Sequence, residues 1–273
     1  MPEWVELLPL IFAMLLTGVI GGILAGLLGV GGGIVIVPML DIALSRAGVD
    51  PSLTLHIAVA TSLATIVPTS LSSVRAHHSR GAVDFALARS WGVYILLGSV
   101  AGTLLASRVD STVLSLLFAA VALLVAVKMA LPLTNLRLSD GPPAGLLGKL
   151  PAVAIGALSS MIGIGGGTLS VPTLTMMSTP MHRAVGTSAL FGLLISLPGA
   201  LAYVLTGWND PRVPFGNLGY VSVIGLALIA PMTVLTAPLG AKFSHRLSQQ
   251  HLSFAFGVFL VLIAGRMIYR ALA

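Results

Sequence analysis

Long apolar runs separated by short polar stretches dominate the sequence. Eight of these runs are close to the length of about 20 residues that a helix needs to cross the hydrocarbon core of a bilayer. They cover residues 7–28, 53–74, 86–106, 113–131, 146–162, 185–205, 218–241 and 252–268. The pattern predicts an all-α polytopic membrane protein with about eight membrane segments.

The composition is that of a protein whose solvent is lipid. Hydrophobic residues make up 56% of the 273 positions and charged residues only 8%, whereas an ordinary soluble domain carries roughly 25% charged residues. So few charges exclude a water-soluble globule, a disordered chain and a nucleic-acid-binding protein. The net charge of +6 fits a membrane protein, because Lys and Arg gather on cytoplasmic loops. The absence of cysteine excludes disulfides and thiol chemistry.

The two halves of the chain resemble each other. Residues 29–40, GVGGGIVIVPML, align with residues 163–174, GIGGGTLSVPTL, at an offset of 134 with seven of twelve positions identical. Internal repeats of this kind are common in transporter folds, where the substrate site lies between the repeats. Further pairs match at an offset of 138, among them Gly102 with Gly240, Arg108 with Arg246, and Lys128 with Arg266.

The duplication divides the chain into a first transmembrane repeat over 1–131, a cytoplasmic linker rich in Pro and Gly over 132–150, and a second transmembrane repeat over 151–273. Two topologies fit this division. If each glycine run starts a re-entrant hairpin, the repeats are inverted and both chain ends lie outside. If each run is a kink in one span, the repeats are parallel and both ends lie inside. In either case the Lys and Arg residues place 75–89 and the linker in the cytoplasm.

Two glycine runs precede apolar pieces that are too short to cross the membrane. Residues 34–43 and 168–177 each cover about 15 Å as a helix, half of the hydrocarbon core. Because glycine adopts positive φ without steric cost, the chain can break at each run and restart as a half-helix inside the membrane. The amide groups at such a start must be buried in protein or face a hydrated cavity, and their positive end suits an anion. We expect the two starts to face a shared hydrated pocket near the midplane.

The polar and small residues near the breaks have two interpretations. Gly18, Gly22 and Gly26 recur every four residues, which is the spacing of small residues in tightly packed membrane helices. The hydroxyls either bind an oxyanion or bond to the preceding turn or to a neighbouring helix. The interpretation as a site assigns substrate binding to Gly31, Gly32, Gly33, Ile34, Pro38, Thr61, Ser62, Thr65, Gly165, Gly166, Gly167, Thr168, Pro172, Thr187 and Ser188.

Charged and aromatic residues narrow the function. No carboxylate lies in the middle of a predicted segment, and only Asp41 is placed below the interface. Cation carriers and proton relays usually contain such a carboxylate, so an anion carrier is favoured. The histidines lack the Cys or acidic neighbours of a metal site, and no metal is expected. Trp91 and Tyr220 are predicted to lie in the aromatic belt at the interface.

Two other functions stay open on the residues alone. A passive anion channel would use the same pair of broken segments. An intramembrane hydrolase would use Ser188 of the segment GTSAL as its nucleophile, with His182 or His56 as the base. Both histidines are poorly placed for that role, so no catalytic residue is assigned and the protein is not expected to be an enzyme.

The doubled G-x-G-G-G-x-x-x-V-P motif, at 29–38 and 163–172, resembles the sulfite exporter TauE/SafE family of membrane transporters. The likeness covers nearly the whole chain, and the pairs Thr61–Ser62 and Thr187–Ser188 match a second recurring patch of the family. It implies a multi-pass carrier of the inner (plasma) membrane, without a cofactor, that exports sulfur-containing anions such as sulfite, sulfoacetate or other organosulfonates. Its partners would be the small anionic substrate and membrane lipid, with a homodimer as one possible assembly.

Overall fold

The computed structural model of the protein describes residues 3–28, 31–130, 145, 147–243 and 249–272. The eight predicted membrane segments lie on helices α1, α3 to α6 and α8 to α10, and the two short apolar pieces lie on α2 and α7. The prediction of an all-α polytopic protein is confirmed. In these ranges the helices are α1 (Glu3–Leu28), α2 (Gly33–Arg46), α3 (Pro51–His78), α4 (Phe85–Ala106), α5 (Ser111–Ala130), α6 (Leu150–Ile162), α7 (Gly167–Met176), α8 (Met181–Gly207), α9 (Val223–Phe243) and α10 (Gln249–Leu272).

Six of the described helices are long and apolar enough to cross a membrane, namely α1, α3, α4, α5, α8 and α9. Large apolar side chains such as Leu97, Leu124 and Leu205 are exposed on them. Such extensive apolar surface is unfavourable in water and is solvated by lipid. The molecule is therefore a multi-pass membrane protein.

One predicted segment begins later than its apolar pattern suggests. The segment expected from residue 218 becomes helical only at Val223, because β1 (Asn217–Leu218) and β2 (Val221–Ser222) pair as a short antiparallel hairpin. Gly219 turns this hairpin with a φ of +54° and packs against the backbone of α8. A side chain at Gly219 would meet both the strained φ and that backbone.

The linker predicted at 132–150 lies mostly outside the described residues. Of it the structure describes Gly145 and the segment from Leu147, which forms one 3₁₀ turn (Leu147–Lys149) before α6. α6 begins at Leu150, with a proline in its first turn, where the missing N–H needs no partner. The division into two repeats and a cytoplasmic linker stays a prediction.

Helix packing is matched between the predicted halves. α1 packs along α9, and α6 packs along α4. Because α6 is the expected counterpart of α1, and α4 that of α9, the two contacts correspond. The backbones approach so closely that a Cβ atom at the contacting glycines would clash with the neighbouring helix, as in other tightly packed membrane helices. The four-residue glycine spacing in α1 is thus a packing motif. The contacting glycines are Gly18, Gly22 and Gly26 on α1, Gly240 on α9, Gly98 and Gly102 on α4, and Gly156 on α6.

Corresponding helices of the two halves run in opposite directions. In the contact between α3 and α8, Gly199 lies against Leu63 and Gly192 against Ser70, so the helices are antiparallel. α5 and α10 are also antiparallel, because Arg270 near the end of α10 bonds to Ser115 near the start of α5. Of the two topologies that fit the sequence, inverted and parallel repeats, the structure therefore has the inverted one. α3 begins where α10 ends, because Arg270 donates to the carbonyl of Pro51. α1 and α3 both run parallel to α9, so both begin at this same face of the bundle, which we call the terminal face.

The core contains a tryptophan that the sequence analysis places at the membrane interface. Trp91 is fully buried and stacks on Phe191 of α8, with ring centroids 6.2 Å apart and an interplanar angle of 13°. Its assignment to the interfacial belt is wrong, because the indole fills the contact between α4 and α8. Tyr220 is also buried, and its hydroxyl donates to the carboxylate of Asp210 at 2.9 Å.

Candidate functional site

Both glycine runs break the chain, so the predicted half-helices are confirmed. Gly31 and Gly32 have φ values of +73° and +76°, and in the second break Gly163 and Gly165 have values of +69° and +73°. Glycine adopts this left-handed conformation without the steric cost that a side chain would add. α2 has 14 residues and α7 has 10. They extend about 21 Å and 15 Å, less than the bilayer core of about 30 Å.

The first break reverses the direction of the chain. Gly32 packs directly on Gly21 of α1, well before the end of the candidate span Leu8–Leu27. A kinked continuation of α1 would instead carry Gly32 beyond that end. α2 therefore starts inside the membrane and returns to the terminal face, where Asp41 meets Arg270. The break is a re-entrant hairpin, as the inverted topology requires.

Neither half-helix start has a side-chain cap. Gly32 precedes α2 and Gly166 precedes α7, no side chain of a described residue bonds to the amides at either start, and neither first turn contains an acidic residue. Both glycines are buried. Each start therefore presents the positive end of a helix dipole inside the protein, which is an environment that favours a negative charge.

The two breaks touch each other. Gly33, the first residue of α2, packs against the carbonyl oxygen of Gly163 and against Ile164. The hydroxyl of Ser62 donates to the same Gly163 carbonyl at 2.7 Å. The expectation of a hydrated pocket is wrong at this contact, because the backbones pack too closely to admit water. Ile34, also predicted as a site residue, is fully buried beside them in the first turn of α2.

Three more of the predicted hydroxyls already have hydrogen-bond partners in the protein backbone. The amide of Ser222, just before α9, donates to Thr61 at 2.8 Å. The amide of Asp84, just before α4, donates to Thr187 at 2.9 Å. The two contacts correspond between the halves: the donors Asp84 and Ser222 match at the offset of 138, and the acceptors Thr61 and Thr187 match at an offset of 126. The hydroxyl of Thr65 donates to the carbonyl of Thr61 at 2.8 Å. These hydroxyls therefore bond within the protein, which is the alternative to oxyanion binding that the sequence analysis gave.

Ser188 and Thr168 differ from those hydroxyls. Ser188 is fully buried and Thr168 is 2% exposed. Neither hydroxyl has a hydrogen-bond partner among the described residues. Since buried polar groups normally have a partner, these two hydroxyls are free to bind a ligand.

Other buried hydroxyls without a partner are absent from the predicted site. Ser70 lies against Gly192 of α8, and Gly192 lies against Gly166 at the start of α7. Helical periodicity would have found Ser70, because it follows Ser62 by eight residues on the same face of α3. Within the described part of the chain the full set is Ser70, Ser73, Thr103, Ser159, Ser170 and Ser196.

Each half-helix is held by a cation from the last helix of the other half. Asp41 of α2 is fully buried and pairs with Arg266 at 3.5 Å and with Arg270 at 3.2 Å, both on α10. At the matching position on α5, the ammonium of Lys128 donates to the carbonyl of Pro172 in α7 at 2.7 Å. The sequence alone signals only the match of Lys128 with Arg266, and it does not show what either residue contacts.

Comparison with known proteins agrees with this architecture. The sulfite exporter TauE/SafE family matches residues 14–267. A probable membrane transporter protein of Haemophilus influenzae is 33% identical over 260 residues, which are 95% of this chain and 98% of that protein. Another from Methanocaldococcus jannaschii is 31% identical over 251 residues, 92% of this chain and 91% of that protein. No solved structure matches the chain. Because the family match spans most of its length, the protein belongs to the sulfite exporter TauE/SafE family.

Proposed function

We propose that the protein is a secondary transporter of the plasma membrane that exports small sulfur-containing anions such as sulfite or organosulfonates. The observation that carries the proposal is the pair of uncapped half-helix starts inside the membrane, at breaks that touch each other. In inverted-repeat transporters, half-helix N-termini of this kind bind the anionic group of the substrate. The family description points to sulfite, and the relatives described as probable membrane transporters support transport in general.

The proposed orientation rests on the charges at the two faces. The face opposite the terminal face carries the larger number of described Lys and Arg residues, and the positive-inside rule makes it cytoplasmic. The terminal face is then external. The basic residues at or near the cytoplasmic face are Arg75, Arg80, Arg89, Lys128, Lys149, Arg183 and Lys242.

The proposed mechanism requires the halves to move, because the breaks are closed to solvent. Rocking of inverted repeats against each other opens a central site to one face at a time. Backbone N–H groups at the starts of α2 and α7 would hold the anion, and the hydroxyls of Ser188 and Thr168 would complete its shell. A passive channel would instead need a continuous open path.

The geometry around Ser188 favours transport over hydrolysis. Its hydroxyl contacts no base in the described part of the chain. His182 is exposed in the first turn of α8, and His56 bonds to the carbonyl of Ala106 at 3.2 Å near the terminal face. Nucleophilic catalysis requires a base within hydrogen-bond reach of the nucleophile. The described residues also contain no group of three His, Asp or Glu side chains that could hold a metal ion.

Flux into proteoliposomes tests the proposal. Sulfite, sulfoacetate, taurine and sulfate are offered to purified, reconstituted protein with and without a pH gradient. We expect saturable, concentrative transport of at least one of the sulfur-containing anions. Flux that rises linearly with concentration would indicate a channel, and flux no greater than in empty liposomes would refute transport of these anions.

A matched pair of variants on α7 tests the site itself. Thr168→Val removes the hydroxyl that has no partner, whereas Thr173→Val removes one that already bonds to the carbonyl of Leu169 at 2.7 Å. We expect Thr168→Val to raise the half-saturating substrate concentration roughly fivefold, the effect of about 1 kcal/mol from one hydrogen bond. Thr173→Val should leave it nearly unchanged. Equal effects of the two variants would exclude Thr168 from the substrate shell.

A further inference from the structure

We propose that a cavity at the terminal face binds a small oxyanion, and that this anion draws Arg270 away from Asp41. The inference rests on the proposed function, because the oxyanion is of the class proposed as substrate. It adds a second binding position, outside the glycine breaks, together with a link between occupancy of that position and the half-helix α2.

The cavity has a volume of about 510 Å³ and lies where several helix ends meet. α3 begins in its wall at Pro51, α5 begins there at Ser111, and α4 ends beside it at Ala106. Two helices thus begin at the cavity, and the start of α3 is already capped by the carboxylate of Asp50, which accepts from the amide of Ser52 at 2.8 Å. Tyr220 of the β-hairpin and Arg270 of α10 complete its lining.

The charges of the lining favour an anion. Three guanidinium groups line the cavity, those of Arg108, Arg212 and Arg270, and Asp110 is the one acidic residue among the described lining. Arg212 is paired with Asp210 and Arg270 with Asp41. Arg108 makes no salt bridge with any described residue. Planar guanidinium groups bind oxyanions through paired hydrogen bonds, so the ligand class is a small oxyanion such as sulfite. Hydroxyls that can add hydrogen bonds are those of Ser52, Ser107, Ser111, Thr112 and Ser115.

Arg270 connects the cavity to the half-helix α2. Its Nε atom lies 3.2 Å from Oδ1 of Asp41, and its Nη1 atom donates to the hydroxyl of Ser115 at 2.8 Å. The same side chain therefore lines the cavity and holds α2. An oxyanion in the cavity competes with the Asp41 carboxylate for this one cation. Binding would weaken the contact that ties α2 to α10 and so favour movement of the first break.

Titration of the purified protein in lipid nanodiscs with sodium sulfite, under nitrogen and at constant ionic strength, tests the cavity. Arg108→Gln removes the lining cation that has no acidic partner. Arg46→Gln is the control, because it removes an exposed charge at the end of α2 on the same face and outside the cavity lining. We expect Arg108→Gln to weaken sulfite binding about tenfold or more and Arg46→Gln to change it less than about twofold. Equal effects, or no sulfite binding by the unmodified protein, would overturn the cavity site.

Two variants with opposite expected signs test the link to α2. Asp41→Asn removes the competitor for Arg270, so sulfite should bind more tightly. Arg266→Gln removes the other cation that pairs with Asp41, which strengthens the hold of Asp41 on Arg270, so sulfite should bind less tightly. If either variant folds and leaves the sulfite affinity unchanged, the link is overturned. Should Asp41→Asn fail to fold, Arg266→Gln alone tests the link.

Binding and flux together separate this inference from the proposed function. Sulfite flux that is identical in Arg108→Gln and Arg46→Gln, with identical binding, overturns the cavity site and leaves the transporter. Sulfite binding that depends on Arg108 without any flux into liposomes keeps the cavity site and overturns the transporter.

Discussion

The ammonium of Lys128 lies 2.7 Å from the carbonyl oxygen of Pro172, so a cation of α5 holds the half-helix α7. The same ammonium reaches the hydroxyl of Thr175 at 3.4 Å. Thr175 is the counterpart of Asp41 at the offset of 134 that aligns the two glycine motifs. One half-helix is therefore anchored by an ion pair, and the other by a cation on uncharged oxygens. Since uncharged oxygens attract a cation less strongly than a carboxylate does, the two anchors differ in strength.

Lys128→Met should loosen α7 while preserving most of the apolar volume. Hydrogen bonds to charged groups contribute about 1.5–3 kcal/mol, so we expect a clearly lower unfolding temperature and slower flux. Lys128→Arg should retain most of both, because Arg266 already occupies the matching position. The control is Lys149→Met at the same face, where the ammonium lies 6.0 Å from the ring centroid of Tyr94. If the two Met variants unfold at the same temperature, Lys128 does not anchor α7.

The paired contacts of Thr61 and Thr187 lead to a prediction about symmetry. Both hydroxyls are fully buried, and each accepts the amide of the residue that precedes α9 or α4. Valine at either position would leave that amide unpaired, at a cost of about 1–3 kcal/mol. We expect similar losses of thermal stability in Thr61→Val and Thr187→Val.

The control for this pair is Thr206→Val, which removes a hydroxyl that bonds back within α8 to the carbonyl of Ala202. Its effect on the unfolding temperature should be small, because no backbone amide loses its partner. A loss at Thr61 without a comparable loss at Thr187 would show that the two contacts are equivalent in geometry only.

Features that depend on residue type and local spacing are predictable from this sequence. The breaks follow from glycine itself, since Gly31 and Gly165 adopt a φ that disfavours other residues. The apolar runs likewise place each helix within a few residues. Gly219 shows the limit of such local prediction. The apolar residues beside it in the sequence resemble a helix, but the residue packs against α8 and forms a turn.

Features that depend on contacts between distant parts of the chain are not predictable in the same way. The sequence indicates that Asp41 lies below the interface, but its pairing with Arg266 and Arg270 requires α10 to return beside α2. Tryptophan is a residue type typical of the interfacial belt, and Trp91 lies in the core only because Phe191 packs against it. The closed contact of Gly33 with Gly163 also depends on how the halves meet.

The close packing of α1 on α9 yields a comparison between two glycines. Gly26→Ala would place a methyl group against the carbonyl oxygen of Ala237, well inside the contact distance. Because backbone cannot yield as a flexible side chain can, we expect a loss of about 1–3 kcal/mol or failure to fold. Gly265→Ala in α10 meets no atom of the described residues within 4 Å and should stabilise the helix by up to about 1 kcal/mol. Thermal unfolding of the two variants in the same detergent measures this difference, and its absence would show that α1 and α9 separate easily.

The loop before the β-hairpin gives a prediction for pH. Asp210 accepts hydrogen bonds from the guanidinium of Arg212, at 3.0 and 2.7 Å, and from the hydroxyl of Tyr220 at 2.9 Å. The hydrogen bonds from Arg212 hold the pKa of the Asp210 carboxyl well below its usual range. Burial and the bond to Asp210 together raise the pKa of Tyr220.

Because the pKa of Asp210 is depressed in the folded protein, its stabilising effect is complete above the unfolded pKa of about 3.9 and is lost as pH falls through the lower folded value. Asp210→Asn should therefore lower the unfolding temperature at pH 7 by about 2–4 °C, the effect of about 1 kcal/mol in a protein of this size. The difference from the unmodified protein should persist at pH 5 and narrow only below about pH 4. Unfolding followed by circular dichroism from pH 7 to pH 3 measures it, with Arg46→Gln as a control that removes an exposed charge elsewhere on the terminal face. A difference that stays constant down to pH 3 would mean that the carboxylate charge of Asp210 does not stabilise the loop.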